Sequence, residues 1–119
     1  MASNTLVGIV DFNRAARDTY AALLYIELGL RVVVAATVPE LIAKLQSTIP
    51  DMLIVGGDHP SLKGGLGAVE ALNARFPAVP LIAIGRHYPT LGADEVLDEP
   101  VDAAELVGLA RSLLRRMPA

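Results

Sequence analysis

The 119-residue sequence has no cysteine and no tryptophan, and carries only two phenylalanines and three tyrosines. Without cysteine there is neither a disulfide framework nor thiolate chemistry, which agrees with a reducing, cytoplasmic location. So few rings leave little for stacking on a base or a flat cofactor. Positive charge is in short supply as well: ten Lys and Arg face thirteen Asp and Glu, for a net charge of −3. That balance lacks the basic footprint of a nucleic-acid binder. No apolar run reaches spanning length, and Met1 to Thr5 is short and polar, so neither a membrane segment nor a secretory leader is expected. What the chain has in quantity is aliphatic side chains, 53% of residues being hydrophobic. A chain of this length and composition builds one core, and one domain over residues 1–119 is expected.

Strand and helix patterns alternate along the chain. Leu6 to Val10 reads as a strand, and Arg14 to Leu28 carries Ala16, Tyr20, Leu23, Leu24 and Leu28 at helical spacing. Gly29 suits a left-handed cap after that helix. Arg31 to Ala35 is a valine-rich second strand, and Thr37-Val38-Pro39-Glu40 has capping-box spacing ahead of a helix with Leu41, Ile42 and Leu45. Met52 to Val55 is four apolar residues with no alternation, the signature of a strand buried on both faces. A helix over Gly64 to Phe76 is halted by Pro77-Ala78-Val79-Pro80. Strands over Leu81 to Ile84 and Glu95 to Leu97 and a last helix over Asp102 to Arg116 complete the pattern. Such alternation with right-handed crossovers predicts a parallel α/β sheet covered on both faces. One crossover is too short for a helix of ordinary length: between Gly85 and Gly92 stand only Arg86, His87, Tyr88, Pro89, Thr90 and Leu91.

The third strand is where a doubly wound fold would place chemistry, at its carboxyl end. There the sequence runs Gly56-Gly57-Asp58-His59-Pro60, with no reactive group at the strand end itself. Asp58 reads as a turn aspartate bonding its own backbone, with the competing expectation of an acidic cluster beside Asp11 and Glu99 that takes a hard cation. His59 and His87 are lone imidazoles with no ligand partner at metal spacing. No metal, no cofactor and no catalytic residue is expected; nowhere does a nucleophile stand beside a base at suggestive spacing.

Taken together, these residues resemble the receiver domain of bacterial two-component response regulators over nearly the whole chain. Ile9-Val10-Asp11 resembles the family's first strand and its acidic end, and Pro50-Asp51-Met52-Leu53-Ile54-Val55 the run into the phosphoacceptor aspartate. Pro60 and Gly64 match the proline and glycine beyond it, and Pro80 to Ile84 resembles the fourth strand. Gly92 to Pro100 resembles the stretch that ends in Lys-Pro, where the peptide bond before proline is usually cis. The resemblance implies a flavodoxin-like, doubly wound, five-stranded parallel sheet of order 2-1-3-4-5, here with the family's fourth helix shortened or missing.

Set beside that family, the chain departs from it where phosphate is handled. The resemblance puts Gly56 at the acceptor position, Phe12 where the second acid of the metal-binding pair stands, Gly85 at the Thr or Ser switch and Glu99 at the phosphate-pairing lysine. Asp11 remains, with capping or acceptance of backbone N–H groups as its ordinary role. A glycine accepts no phosphoryl group, and Glu99 before Pro100 repels the phosphate that a lysine would pair with. The expectation is a degenerate pocket of Asp11, Phe12, Gly56, Gly85, Glu99 and Pro100 in a non-enzymatic pseudo-receiver.

Such a module signals by binding proteins: a histidine kinase, an output domain or another regulator, with no nucleic acid and no membrane. Without the fourth helix, apolar groups near Ile82, Ile84 and Val96 need another cover: either the loop folds back with Tyr88 and Leu91 as lids, or Arg86, His87, Tyr88 and Leu91, with Arg111 on the last helix, form a partner surface. Free-standing regulator and receiver segment of a larger protein both stay open. Three competitors remain: a nucleotide sensor using Arg86 and Tyr88 in the groove of the missing helix, an atypical phosphoacceptor using Asp58, and a homodimer formed through the last helix.

Overall fold

The computed structural model describes residues 4–56, 64–85 and 92–115. Within them lie the strands β1 (Leu6–Asp11), β2 (Arg31–Ala35), β3 (Met52–Gly56), β4 (Leu81–Ile84) and β5 (Glu95–Leu97). The helices are α1 (Arg14–Leu28), α2 (Val38–Leu45), α3 (Gly64–Arg75) and α4 (Ala103–Arg115). All strand pairs are parallel and the order is β2-β1-β3-β4-β5, the predicted arrangement. The connection from β4 to β5 includes residues 86–91, which lie outside the described residues. No described helix is long and apolar enough to cross a membrane.

Side chains of a strand alternate between its faces, and here each face buries its own core. Val7 and Ile9, Met52 and Ile54, Ile82 and Ile84, and Leu97 meet Tyr20 and Leu24 of α1 and Leu106, Ala110 and Leu113 of α4. Leu6, Val10, Leu53, Val55, Leu81 and Ala83 meet Leu41 and Leu45 of α2 and Val69 and Leu72 of α3. Each fully buried leucine or isoleucine contributes roughly 1.5–3 kcal/mol relative to its exposed state, so the two-sided central strands anchor the domain. This alternation corrects one expectation. Ile82 and Ile84 face α1 and α4 and are fully buried, whereas Val96 lies on the opposite face with Ala93 against the α2/α3 core. The three share no uncovered surface, because neighbouring positions of a pleated sheet point apart.

Local chemistry sets the helix ends. Asn13, not Asp11, caps α1, its side chain accepting the Ala16 N–H at 2.9 Å, and Gly29 closes the helix at φ 66°. Thr37 accepts the Glu40 N–H at 3.3 Å, while the Glu40 carboxylate accepts the N–H of Ala36 at 2.9 Å, one residue earlier than a standard capping box. Asp102 precedes α4 and accepts the Glu105 N–H at 3.0 Å, so it caps the last helix instead of opening it.

Two aspartates fasten the amino-terminal edge of the sheet. Asp51, just ahead of β3, accepts the Leu6 N–H at 2.8 Å and donates its own N–H to the Leu6 carbonyl at 2.7 Å. Asp94, ahead of β5, does the same with Leu81, at 2.7 Å and 2.8 Å. Each adds one reciprocal rung below the strands it joins. The opposite, carboxyl edge carries the connections that leave the strands.

Candidate functional site

At the carboxyl edge β1 ends in Asp11 and β3 in Gly56, and the two are register partners. By strand alternation both belong to the face of Val7, Ile9, Met52 and Ile54, the face under α1. Asp11 is 1% exposed and is the buried charged residue of the described core. Its Oδ1 accepts the Asn13 N–H at 2.8 Å, while Oδ2 is buried with no hydrogen-bond partner among the described residues. A Cβ placed on Gly56 would stand 2.5 Å from Oδ2 and 3.4 Å from the Tyr20 ring. The Asp11 carboxylate thus fills the space in which a side chain at position 56 would begin.

The surroundings set the electrostatics. Burial pushes the Asp11 carboxyl above its ordinary value; the Asn13 N–H opposes this, the Glu99 charge adds to it and Arg17 opposes it. Tyr20, buried on α1, is pushed up to about 12 by burial first and then by the negative charges of Asp11 and Glu99. Arg17 donates from Nη1 to the carbonyls of Asp11 and Phe12, at 3.2 Å and 3.4 Å, and so straps the turn between β1 and α1. Phe12 is 52% exposed on that turn.

An open cavity of about 600 Å³ lies here, lined by Asp11, Phe12, Asn13, the first turn of α1 and Glu99. Its two acids come from opposite sides, Asp11 from the end of β1 and the exposed Glu99 from the turn after β5. The peptide bond between Glu99 and Pro100 is cis. Gly85, directly after β4, donates its N–H to the Leu97 carbonyl at 2.9 Å and holds φ 154°, a conformation that strains any residue with a Cβ.

A receiver's divalent cation takes near-octahedral oxygen ligands. Of the Asp11 oxygens one is engaged by Asn13 and the other is pressed against Gly56, which leaves Glu99 as the second carboxylate of the cavity. Among the described residues no three His, Cys, Asp or Glu side chains gather as a metal site, so the described donors do not fit such an ion.

Of the residues singled out by sequence, Asp11, Phe12, Gly56, Gly85, Glu99 and Pro100 all stand at or just beyond the carboxyl edge. Arg111 is exposed on α4 and lines a separate groove. Arg86, His87, Tyr88 and Leu91, with Asp58 and His59, lie outside the described residues. Sequence reasoning missed Tyr20 and Arg17 as members of the site. Tyr20 was legible as core from its helical spacing, but only the position of α1 over the end of β3 brings its ring to Gly56. Arg17 carries a weak signal, four residues beyond the cap Asn13 and therefore on the same side of the first turn.

No protein-family model matches the chain, and no curated protein matches it. Solved structures do. A CheY-like response regulator receiver domain from Methanospirillum hungatei JF-1 is 24% identical, with a TM-score of 0.82 over 95% of each chain. A two-component response regulator from Clostridium difficile is 19% identical, with a TM-score of 0.80 over 98% of this chain and 100% of its own. The chemotaxis response regulator CheY4 of Vibrio cholerae is 21% identical, with a TM-score of 0.76 over 93% of this chain and 99% of its own. At these identities the shared property is the fold, and this chain has the fold of receiver domains.

Proposed function

We propose that this chain is a pseudo-receiver: a cytoplasmic module of a two-component-type pathway that works by binding signalling proteins and needs no phosphorylation. The observation that carries this reading is the Asp11 carboxylate lodged against Gly56, where a Cβ would stand 2.5 Å from Oδ2. A receiver needs an aspartate side chain at the end of its third strand, with metal and countercharge around it, to accept a phosphoryl group. Here the strand end is glycine, the neighbouring acid points into the vacated volume, and the group before the cis proline is Glu99. The glycine-favouring backbone of Gly85 adds support, since a hydroxyl-bearing switch residue would be strained there.

On this reading the chain catalyses no reaction of its own. Its partner is a histidine kinase, an output domain or another regulator, met through Arg86, His87, Tyr88 and Leu91, in the short stretch of sequence between β4 and β5.

The test is exposure of the full chain to magnesium and acetyl phosphate, followed by intact mass measurement. The expected spectrum is that of the unmodified protein. A phosphoryl adduct, mapped to Asp58 or to Asp11, overturns the proposal and makes the chain an atypical phosphoacceptor. Co-purification of partners with wild type and with Tyr88→Ala/Leu91→Ala then tests the surface, with loss of a partner from the variant as the expected result.

A further inference from the structure

We infer that Glu40 and Lys44 form a guard on the outer edge of β2, where their side chains stand in for one residue of a sixth strand and keep a second copy of this chain from pairing there. β2 ends the sheet order on one side, and among the described residues no strand lies beyond it. The strand at the other margin, β5, is three residues long, whereas β2 runs for five and is valine over Val32, Val33 and Val34. A long edge strand rich in β-branched residues is a template for a further strand unless something blunts it.

Residues of a parallel strand turn their backbone groups alternately to one neighbour and the other. Arg31 donates its N–H to the Thr5 carbonyl at 3.0 Å, so Arg31, Val33 and Ala35 bond toward β1, and Val32, Val34 and Ala36 face outward. Two of those outward groups are taken by α2. Lys44 Nζ donates to the Val34 carbonyl at 2.8 Å, the Glu40 carboxylate accepts the Ala36 N–H at 2.9 Å, and the two side chains pair at 3.3 Å. In a parallel ladder the C=O of one residue and the N–H of the residue two further on are bonded by a single residue of the neighbouring strand. The Lys44–Glu40 pair takes the place of that residue, donor to Val34 and acceptor from Ala36. The Ala36 N–H first, and Lys44 after it, hold the Glu40 carboxyl below its ordinary value, so both bonds favour its charged form.

The blocked group decides which strand is shut out. Two β2 edges meeting antiparallel about a two-fold axis set Val32 of one copy opposite Val34 of the other, so that each pair exchanges both backbone bonds. Every such pair needs the Val34 carbonyl, which Lys44 holds. The strand excluded is thus the identical strand of a second copy, present at the same concentration and matched in length and side chains. None of these residues lines the Asp11 cavity, so the guard stands independently of the proposed signalling role.

Sedimentation velocity of the full chain over a concentration series tests this, with Glu40→Ala/Lys44→Ala and with the same pair plus Val32→Pro. The alanine pair should associate at concentrations about tenfold or more below those at which wild type does, since two charge-assisted bonds no longer compete for the edge. The added proline removes an outward N–H that the β1 ladder does not use, and should return the chain to wild-type behaviour. Circular dichroism melting checks that both variants are folded. Hydrogen exchange supplies a second measurement, and decides alone should the proline variant not fold: the Val32 and Val34 amides of the alanine pair should slow on association. An alanine pair no more associated than wild type, association that survives Val32→Pro, or association with unchanged exchange at Val32 and Val34 overturns the inference.

Discussion

Position 56 is a steric decision made by another residue. Because the Asp11 carboxylate already fills the volume beyond the Gly56 Cα, even Gly56→Ala forces a displacement, and we expect it to destabilise the chain by about 1–3 kcal/mol, read as a lower urea midpoint. An unchanged midpoint would mean that Asp11 yields without strain. Burial also makes Asp11 a source of pH dependence. Its carboxyl lies above the ordinary value of 3.8, so the folded chain holds that proton more tightly than the unfolded chain. Stability is therefore lost as pH rises from the ordinary value through the raised one. In Asp11→Asn this loss disappears, and the stability of the variant relative to wild type should climb with pH; a difference that stays flat would show that Asp11 does not titrate abnormally. Tyr20 gives a third readout. In a Tyr25→Phe/Tyr88→Phe background its phenolate absorbance should appear near about 12, with stability falling between the ordinary value of 10 and that point. A midpoint near 10 would mean that Tyr20 is not enclosed beside Asp11. The identities at this edge were legible in the sequence because Asp51, Pro60 and the Glu99-Pro100 pair bracket them. The unpaired oxygen of Asp11 was not, since which oxygen meets which hydrogen is decided by tenths of an ångström between elements far apart in the chain.

At the scale of elements, the terminal helix is the most readily altered. Gly108 lies in the interior of α4 with open space around it, so Gly108→Ala should raise stability by roughly 1 kcal/mol through backbone entropy alone, measured by denaturant melting at concentrations where the chain is monomeric. No gain would mean that the alanine meets something the monomer does not show. Local signals of this kind were easy to read. Thr37, Gly29 and the apolar stripes of α1 and α4 act within a few residues of themselves, and the elements formed where those signals predict them. The paired aspartates could not be read in the same way. Asp51 serves Leu6, 45 residues earlier, and Asp94 serves Leu81, 13 residues earlier; only the strand register brings them together. The same non-local register separates Val96 from Ile82 and Ile84, a distinction that hydrophobicity alone does not carry.

For the molecule as a whole, the alternation of strand and helix with two-sided central strands was sufficient to predict a parallel sheet covered on both faces, because few topologies satisfy right-handed crossovers and bury both faces, whereas the sheet order came from the resemblance to receiver domains. What the paired aspartates add is a polarity of unzipping. One end of the sheet is riveted by side chains that extend the ladder past its last backbone rung, while the other ends in a cavity and a carboxylate with one oxygen unpaired among the described residues. Local opening should therefore travel from the loop end toward the riveted end, so that hydrogen exchange at the Leu6 and Leu81 amides is among the slowest in the chain and quickens selectively in Asp51→Ala and Asp94→Ala, respectively. A sheet fastened in this manner can lose order at one margin while the far margin keeps the strands in register.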